Sequence, residues 1–375
     1  MAFDIHRLAA CRAKPYSTKQ VMVFHVRVVR WVGALLLMLS APADAQLIPL
    51  DRLSPDAFDA TPPTARISGA PGAMTVRQRP CRTVPIADVR RRIVDIAVQE
   101  WGFFGFPIRD EAAVSAVEWA RAIESDGDRA FFWRGFFPRL SDEEAARVAT
   151  SVAGYWAVTP EATMMVGRQN AAWSAPGGPR RSDPWSAAFI SWVMCEAGLA
   201  EAGRFQRAIA HHAYIDQAIR ARQGNAPQAA FVAYDAGETS IAPGDLLCSA
   251  RRPVYRSLAE RRRQLGVGAR THCDVVVKID EPAARIYAIG GNVGRAVSLK
   301  RLRAARGASG HLQATALDEG RPVFAHLKLR GPAIEAQAFD NSPTVKALAC
   351  AGGIEASLRA SGVIAAAASP AARRC

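Results

Sequence analysis

Ser186 lies in the stretch 183–198, DPWSAAFISWVMCEAG, which sets a hydroxyl at the opening of a helix. Asp183 suits an N-cap and Pro184 the first helical position. Ala187, Ala188, Phe189, Ile190, Trp192, Val193 and Met194 make the segment apolar on nearly every side, so it must be buried, and Gly198 gives it a stop. Ser186, Ala187 and Ala188 are small enough for a substrate or another backbone to come close. A hydroxyl in the first turn of a buried helix is the layout of a nucleophile site. A serine is too weak an acid for a helix dipole to ionise, so that hydroxyl needs a general base. His211 and His212 lie in RFQRAIAHHAYIDQAIRAR, 204–222, which reads as a helix. They point about 100° apart, so at most one faces a given cleft. Either is a candidate base for Ser186 or, with Tyr214, part of a substrate groove; one core and one exposed histidine fit the same spacing.

The elements that must hold these groups divide by period. IADVRRRIVDIAVQEWGFFG carries Ile86, Val89, Ile93, Ile96 and Ala97 at helical spacing and ends at its glycines. EAAVSAVEWARAIES at 111–125 reads as a second helix. SDEEAARVATSVAGYW, with Ser141 and Glu144 three residues on, opens a third with a capping box. Residues 159–181 read as a polar Gly/Pro loop. Beyond residue 240 the period shortens, and β-forming segments recur at 244–249, 273–279, 285–290, 296–301 and 322–330. Helices first and strands after is an α+β order, here in one large domain, 81–335, without internal repeats. Residues 46–80, rich in Pro, Ala, Gly and Arg, read as a disordered linker, and 336–375 as an Ala-rich C-terminal tail.

The start of the chain reads as an export signal, residues 1–45. A basic segment through Arg30 precedes WVGALLLMLSA, too short to span a bilayer, and then PADAQ, whose Ala43 and Ala45 suit cleavage after Ala45. Met22 is a more ordinary start for such a leader than Met1. The alternative is an uncleaved anchor, the one way in which the protein is expected to touch a membrane; no cysteine follows the apolar run to take a lipid. The expected location is the periplasm or cell envelope. The full chain carries a formal +14; residues 1–45 hold six Lys/Arg and two Asp/Glu, so about +10 remains without them. Arginine clusters at 90–92, 180–181, 251–252 and 261–263 favour an anionic partner, peptidoglycan or another envelope polymer, and export makes nucleic acid the least expected. A solvated Arg-rich surface without a partner is the alternative.

WSAAF at 185–189 resembles the first catalytic motif of the papain-like NlpC/P60 and CHAP amidases and endopeptidases, with Ser186 where those families carry cysteine. PGDLLC at 243–248 resembles their Pro-Gly-Asp strand, HCDVVV at 272–277 their histidine strand, and IGGNVGRAVSLKRL at 289–302 the Gly-Gly-Asn segment of some CHAP-like proteins. Together, over about residues 183–302, they resemble DUF2272, a bacterial family of unknown function that shares the serine form. The resemblance implies a papain-like, NlpC/P60-type α+β fold, with N-terminal helices packed on a small antiparallel sheet. It implies that His272 moves the proton of Ser186 and that Asn292 orients His272. Trp185 and Asp274 join His211, His212 and Tyr214 as groove residues. Asp274 shares a strand face with His272, but at roughly 6–7 Å along the strand direct pairing is not expected. The family order makes strands 244–249 and 272–279 neighbours, which allows a Cys248–Cys273 bridge. Each residue also has a plainer reading: Ser186 as a small packing residue, His272 as a hydrogen-bonded core histidine, Gly290-Gly291-Asn292 as a turn.

Six cysteines follow the leader: Cys81, Cys195, Cys248, Cys273, Cys350 and Cys375. An even number permits disulfides after export, with Cys350–Cys375 a second candidate pair. Cys195, mid-helix among apolar residues, reads as a buried small hydrophobe. No Cys-x-x-Cys or His-x-x-x-His spacing occurs, so neither a metal nor a cofactor is expected. Two function classes follow. One is an exported hydrolase of amide bonds in peptidoglycan peptides, working through Ser186 and His272. The other is a catalytically inactive wall-binding or structural envelope module on the same scaffold.

Overall fold

Most helical residues precede residue 240 and most strand residues follow it, with short exceptions on both sides, in the computed structural model, which describes residues 49–110, 142–175, 183–317, 320–348 and 352–364. The helices are α1 (Ile86–Phe103), α2 (Asp142–Trp156), α3 (Ala162–Ser174), α4 (Ser186–Glu196), α5 (His212–Arg222), α6 (Leu258–Arg262), α7 (Pro343–Ala347) and α8 (Gly352–Ala360). A hairpin of β1 (Ile67–Ser68) and β2 (Thr75–Val76) precedes the main sheet. That sheet comprises β3 (Ile108–Asp110), β4 (Phe231–Tyr234), β5 (Leu246–Arg252), β6 (Arg270–Asp280), β7 (Arg285–Val293), β8 (Ala296–Arg306), β9 (Leu312–Ala314) and β10 (Val323–Leu329). Its order is β3-β8-β7-β6-β5-β10-β4, with β9 on β8; β3 runs parallel to β8 and the other pairs are antiparallel. The fold is α+β, but the sheet has eight strands and is not small. The additional strands are three or four residues long, too short to carry an alternating pattern.

Every residue of α4 from Ala187 to Glu196 is buried, and the helix packs on α1, α2, β6 and β7. It crosses β7 at Gly291, where a Cβ would lie 2.6 Å from the Cβ of Phe189. The helix opens two residues later than its sequence suggests. Asp183 does not cap it; its carboxylate meets Arg168 at 2.9 Å, and Trp185 occupies the N-cap without a side-chain bond. Trp185 is part of the core and not of a groove, stacked between Phe104 and Tyr155 at 5.8 and 5.6 Å.

The leading segment differs most from expectation. Residues 49–80 are not a linker but a strap over α1, α2 and α4. Arg52 forks onto Glu100 at 2.6 and 2.7 Å, and Arg66 reaches Glu196 at 2.6 Å. Both carboxylates are fully buried, and an unpaired carboxylate there would cost several kcal/mol. Composition marks arginine-rich Pro/Ala sequence as unstructured; what it misses is that these arginines answer buried acids far along the chain. The Cys81–Cys195 disulfide closes the strap on α4, so Cys195 is a bridge and not a free apolar cysteine.

The C-terminal segment is likewise no bare tail, since Ala338, Phe339, Leu348, Leu358 and Val363 join the core. Helix α3 stands inside the expected loop, its one glycine, Gly167, facing open space. The expected helix at 204–222 begins only at His212. The leader, the 111–125 helix, Arg180, Arg181 and the Cys350–Cys375 pair lie outside the described residues.

Candidate functional site

Ser186 is the first residue of α4 and half-buried. Its Oγ lies 2.6 Å from Nε2 of His211, the residue that precedes α5 and is 3 % exposed. The register is set by Ser191, one turn and a half along α4, whose Oγ accepts from the Ala208 N–H and donates to the Ala208 carbonyl, each at 3.0 Å. This ties the segment before α5 to α4 and holds His211 against Ser186. Three residues on from His211, and so on the same side of the helix start, Tyr214 hydrogen-bonds its Nδ1. Burial, reinforced by the Asp274 carboxylate, pushes the Tyr214 phenol well above its ordinary pKa. It therefore stays neutral and serves His211 as a hydrogen-bond partner.

His272 faces this pair, its ring edge-on to His211 with centroids 5.0 Å apart. Its Nε2 bonds Asp274 Oδ1 at 2.8 Å, and Asp274 Oδ2 accepts from Lys300 Nζ at 2.7 Å. Direct pairing of His272 and Asp274 was not expected from strand spacing. It forms because side chains two apart on a strand lean along it, and because β7 leaves room above them. That room is Gly290: a Cβ there would fall 1.8 Å from Asp274 Oδ1 and 3.1 Å from His272 Nε2. Asp274 and Lys300 are both fully buried, so Asp274 is an internal anchor and not a substrate contact.

The remaining predicted residues separate. Ser186 meets His211, not His272, while His272 stands beside His211 as a second imidazole. Asp274, not Asn292, holds His272. Asn292 occupies the left-handed region (φ 58°) where β7 turns into β8, a conformation asparagine tolerates. His212 turns away from His211, its Nδ1 3.5 Å from the Ala269 N–H. The Cys248–Cys273 disulfide joins β5 to β6 beside His272. Lys300 escaped the sequence reading: in the run Leu299-Lys300-Arg301-Leu302-Arg303 it stands beside other cations, and nothing in that pattern marks it as the buried one. Where the chain enters α4, a cleft of about 410 Å³ opens between α3 and residues 183–184, lined by Trp156, Met165, Arg168, Gln169, Asp183 and Pro184.

Together these groups form a hydroxyl–imidazole–phenol series, Ser186–His211–Tyr214, beside a second series, His272–Asp274–Lys300. No curated protein and no solved structure matches the chain. Residues 143–329, about half of it and a span holding all six side chains, match the family model described as an uncharacterized protein conserved in bacteria, DUF2272. By that match the chain belongs to the DUF2272 family.

Proposed function

We propose that the protein is an exported hydrolase of papain-like, NlpC/P60-related descent that cleaves amide bonds of cell-wall peptides, with Ser186 as nucleophile and His211 as its general base. The 2.6 Å contact between Ser186 Oγ and His211 Nε2 carries this reading. Base action at Nε2 needs the tautomer whose proton sits on Nδ1, and Tyr214 Oη is there to accept it. As Oγ bonds the carbonyl carbon its proton passes to Nε2, and His211 returns that proton to the leaving amine. A water, deprotonated in the same way, then releases the acyl group. The first-turn N–H groups of α4 have no acceptors within the helix and lie at its positive end, suited to the oxyanion that forms. His272, held by Asp274, packs edge-on against the neighbouring imidazole and so limits where that ring can turn.

The NlpC/P60 descent rests on order and neighbourhood: WSAAF opens the buried helix, while PGDLLC, HCDVVV and the Gly-Gly-Asn segment fall on β5, β6 and β7, adjacent and antiparallel. Export is favoured by two disulfides, which persist in oxidising compartments. N-terminal sequencing of envelope-fraction protein should give a chain beginning at Gln46, and recovery of intact residues 22–45 in a soluble cytoplasmic form would exclude export.

The serine itself favours the second reading, a scaffold that binds wall polymer without cleaving it. Turnover of purified wall peptides decides between them. Ser186→Ala and His211→Ala should fall to a common residual rate, roughly 10³-fold or more below the parent, because members of one catalytic unit are not additive. If the parent cuts nothing while Ser186→Cys gains thiol-dependent cleavage, the nucleophile has been lost and the binding module stands.

A further inference from the structure

Trp185 does more than fill the core. It is the N-cap of α4 and the residue before Ser186, so the seating of its ring constrains the backbone from which the hydroxyl projects. No side-chain bond caps the helix there. Its hold falls to the two rings beside it, Tyr155 at 5.6 Å and Phe104 at 5.8 Å.

Both rings lead back to Arg52 on the strap. The Glu100 carboxylate that Arg52 forks onto also accepts the Tyr155 hydroxyl, at the same Oε2 that Nη2 of Arg52 meets at 2.7 Å. Burial, reinforced by that carboxylate, pushes the Tyr155 phenol well above its ordinary pKa, so it remains the donor. Nη2 reaches Tyr155's own helix as well, at Ser151, one turn earlier on α2, with 3.2 Å to its Oγ. Toward the other ring, the Arg52 guanidinium lies 3.5 Å from the centre of Phe103, which packs edge-on against Phe104. Arg147 sits on Phe103 too, at 3.7 Å, so that route is shared. The Glu100 route is not: among the described residues Arg52 is the one cation on that carboxylate. Arg52 is itself placed by the strap backbone, where the Leu50 N–H donates to the Gly102 carbonyl at 3.0 Å and the Leu53 N–H to Gln99 Oε1 at 3.1 Å.

Arg66 supplies the contrast. It is the same kind of strap cation on the same kind of buried carboxylate, but it meets Glu196 at the last residue of α4, about 15 Å along the helix from Ser186. We propose that Arg52 is a positioning residue for the Ser186–His211 pair: through Glu100 and Tyr155 it seats Trp185, and with it the Ser186 hydroxyl. Arg52, Glu100, Phe103 and Phe104 all precede residue 143, so the strap and α1 complete a site that the family span 143–329 does not hold alone. The effect on turnover rests on the hydrolase reading; the positioning does not.

The test follows the imidazole nitrogens of His211 by NMR in the full chain with isotope-labelled histidine. Their signals are identified by their loss in His211→Ala, and Ser186→Ala shows where Nε2 stands once the hydroxyl is gone. Tyr155→Phe deletes the link from Glu100 to the ring and leaves the ion pair intact, whereas Arg52→Gln breaks the pair. In both, Nε2 should move toward its Ser186→Ala position, and Arg52→Lys should bring it back toward the parent. Turnover of wall peptides should lose about ten-fold in kcat with KM held within about two-fold, as for a displaced nucleophile. Arg66→Gln should lower the urea midpoint as Arg52→Gln does, yet leave Nε2 and kcat at parent values. Tyr155→Phe carries the test alone if Arg52→Gln does not fold, and an unmoved Nε2 in it overturns the proposal. Equal displacement of Nε2 by Arg66→Gln overturns it as well, since the strap would then act through stability alone. If Nε2 moves as expected but the parent cuts nothing, the positioning stands and the hydrolase reading falls. If kcat drops while Nε2 stays in place, the positioning falls and the hydrolase reading stands.

Discussion

Two histidine–aspartate pairs sit in neighbouring parts of one sheet, built alike and surrounded differently. In one, His272 Nε2 meets Asp274 at 2.8 Å and Lys300 meets the other carboxylate oxygen at 2.7 Å. In the other, His326 Nε2 meets Asp245 at 2.8 Å and Arg90 meets the other oxygen at 2.7 Å. His326 is fully buried, and Asp245 also accepts the backbone N–H groups of Ala242 and Leu329. Burial pushes the Asp245 carboxyl up, but His326 and Arg90 outweigh it and hold the pKa below its ordinary value. His272 keeps 12 % of its side chain exposed and stands against His211, which holds a half-buried hydroxyl. A His–Asp–cation series is therefore not itself a site. Access and an adjacent hydroxyl make the difference, and the Asp245 series is a strut that pins α1 to β5 and β10.

The sharpest way to break this comparison is to remove each carboxylate. Asp245→Ala leaves Arg90 and His326 buried without their acceptor and should cost about 3–5 kcal/mol, read as a lower urea midpoint. Turnover per folded molecule should not change. Asp274→Ala should cost a comparable amount because it takes a buried carboxylate from both Lys300 and His272, but should also lower turnover; equal turnover in the two variants would erase the distinction between the two series.

Gly290→Ala is a gentler probe. Its Cβ would overlap Asp274 Oδ1, so either the strand or the carboxylate must shift, at about 1–3 kcal/mol. Turnover should drop to the His272→Ala level while the Asp245 strut is untouched. Full activity in Gly290→Ala would show that the His272–Asp274 bond does not position His211.

What the sequence made legible follows from where the constraints are local. The buried α4, the helical period of α2 and the long strands β5 to β8 announce themselves within windows of about ten residues, and the strand order that the resemblance implies allowed the Cys248–Cys273 bridge. Ser186 was visible as a first-turn hydroxyl. Which imidazole it meets was not, because the choice between His211 and His272 depends on Ser191 fastening Ala208, a contact with no sequence pattern. The strap at 49–80 was illegible for the same reason: Arg52 and Arg66 find Glu100 and Glu196 at separations of 48 and 130 residues. Gly290 and Gly291 read as a turn, whereas each makes room for a specific side chain.

Asp95 supplies the smallest effect and sharpens the comparison from the opposite side, as a buried carboxyl with no cation in contact among the described residues. It lies on α1, the helix that packs against α7, is 6 % exposed, and its Oδ1 has no hydrogen-bond partner among the described residues. Burial raises its pKa to about 7, against the milder opposing pull of Arg91, Lys346 and Arg92. The folded state thus holds a proton that the unfolded chain gives up near pH 4, so folding is favoured at low pH and the advantage is lost as pH rises from about 4 to about 7. A rise of that size corresponds to at most about 4 kcal/mol. Asp95→Asn removes the titration without changing the shape, so stability of variant minus parent should climb across that window and level off above it. Histidines and other groups titrate in both proteins and cancel in the difference. Parallel stability curves from pH 4 to pH 8 would mean that Asp95 is ionised in the folded protein and that the guanidinium and ammonium groups around it suffice to solvate it, as Arg90 does for Asp245.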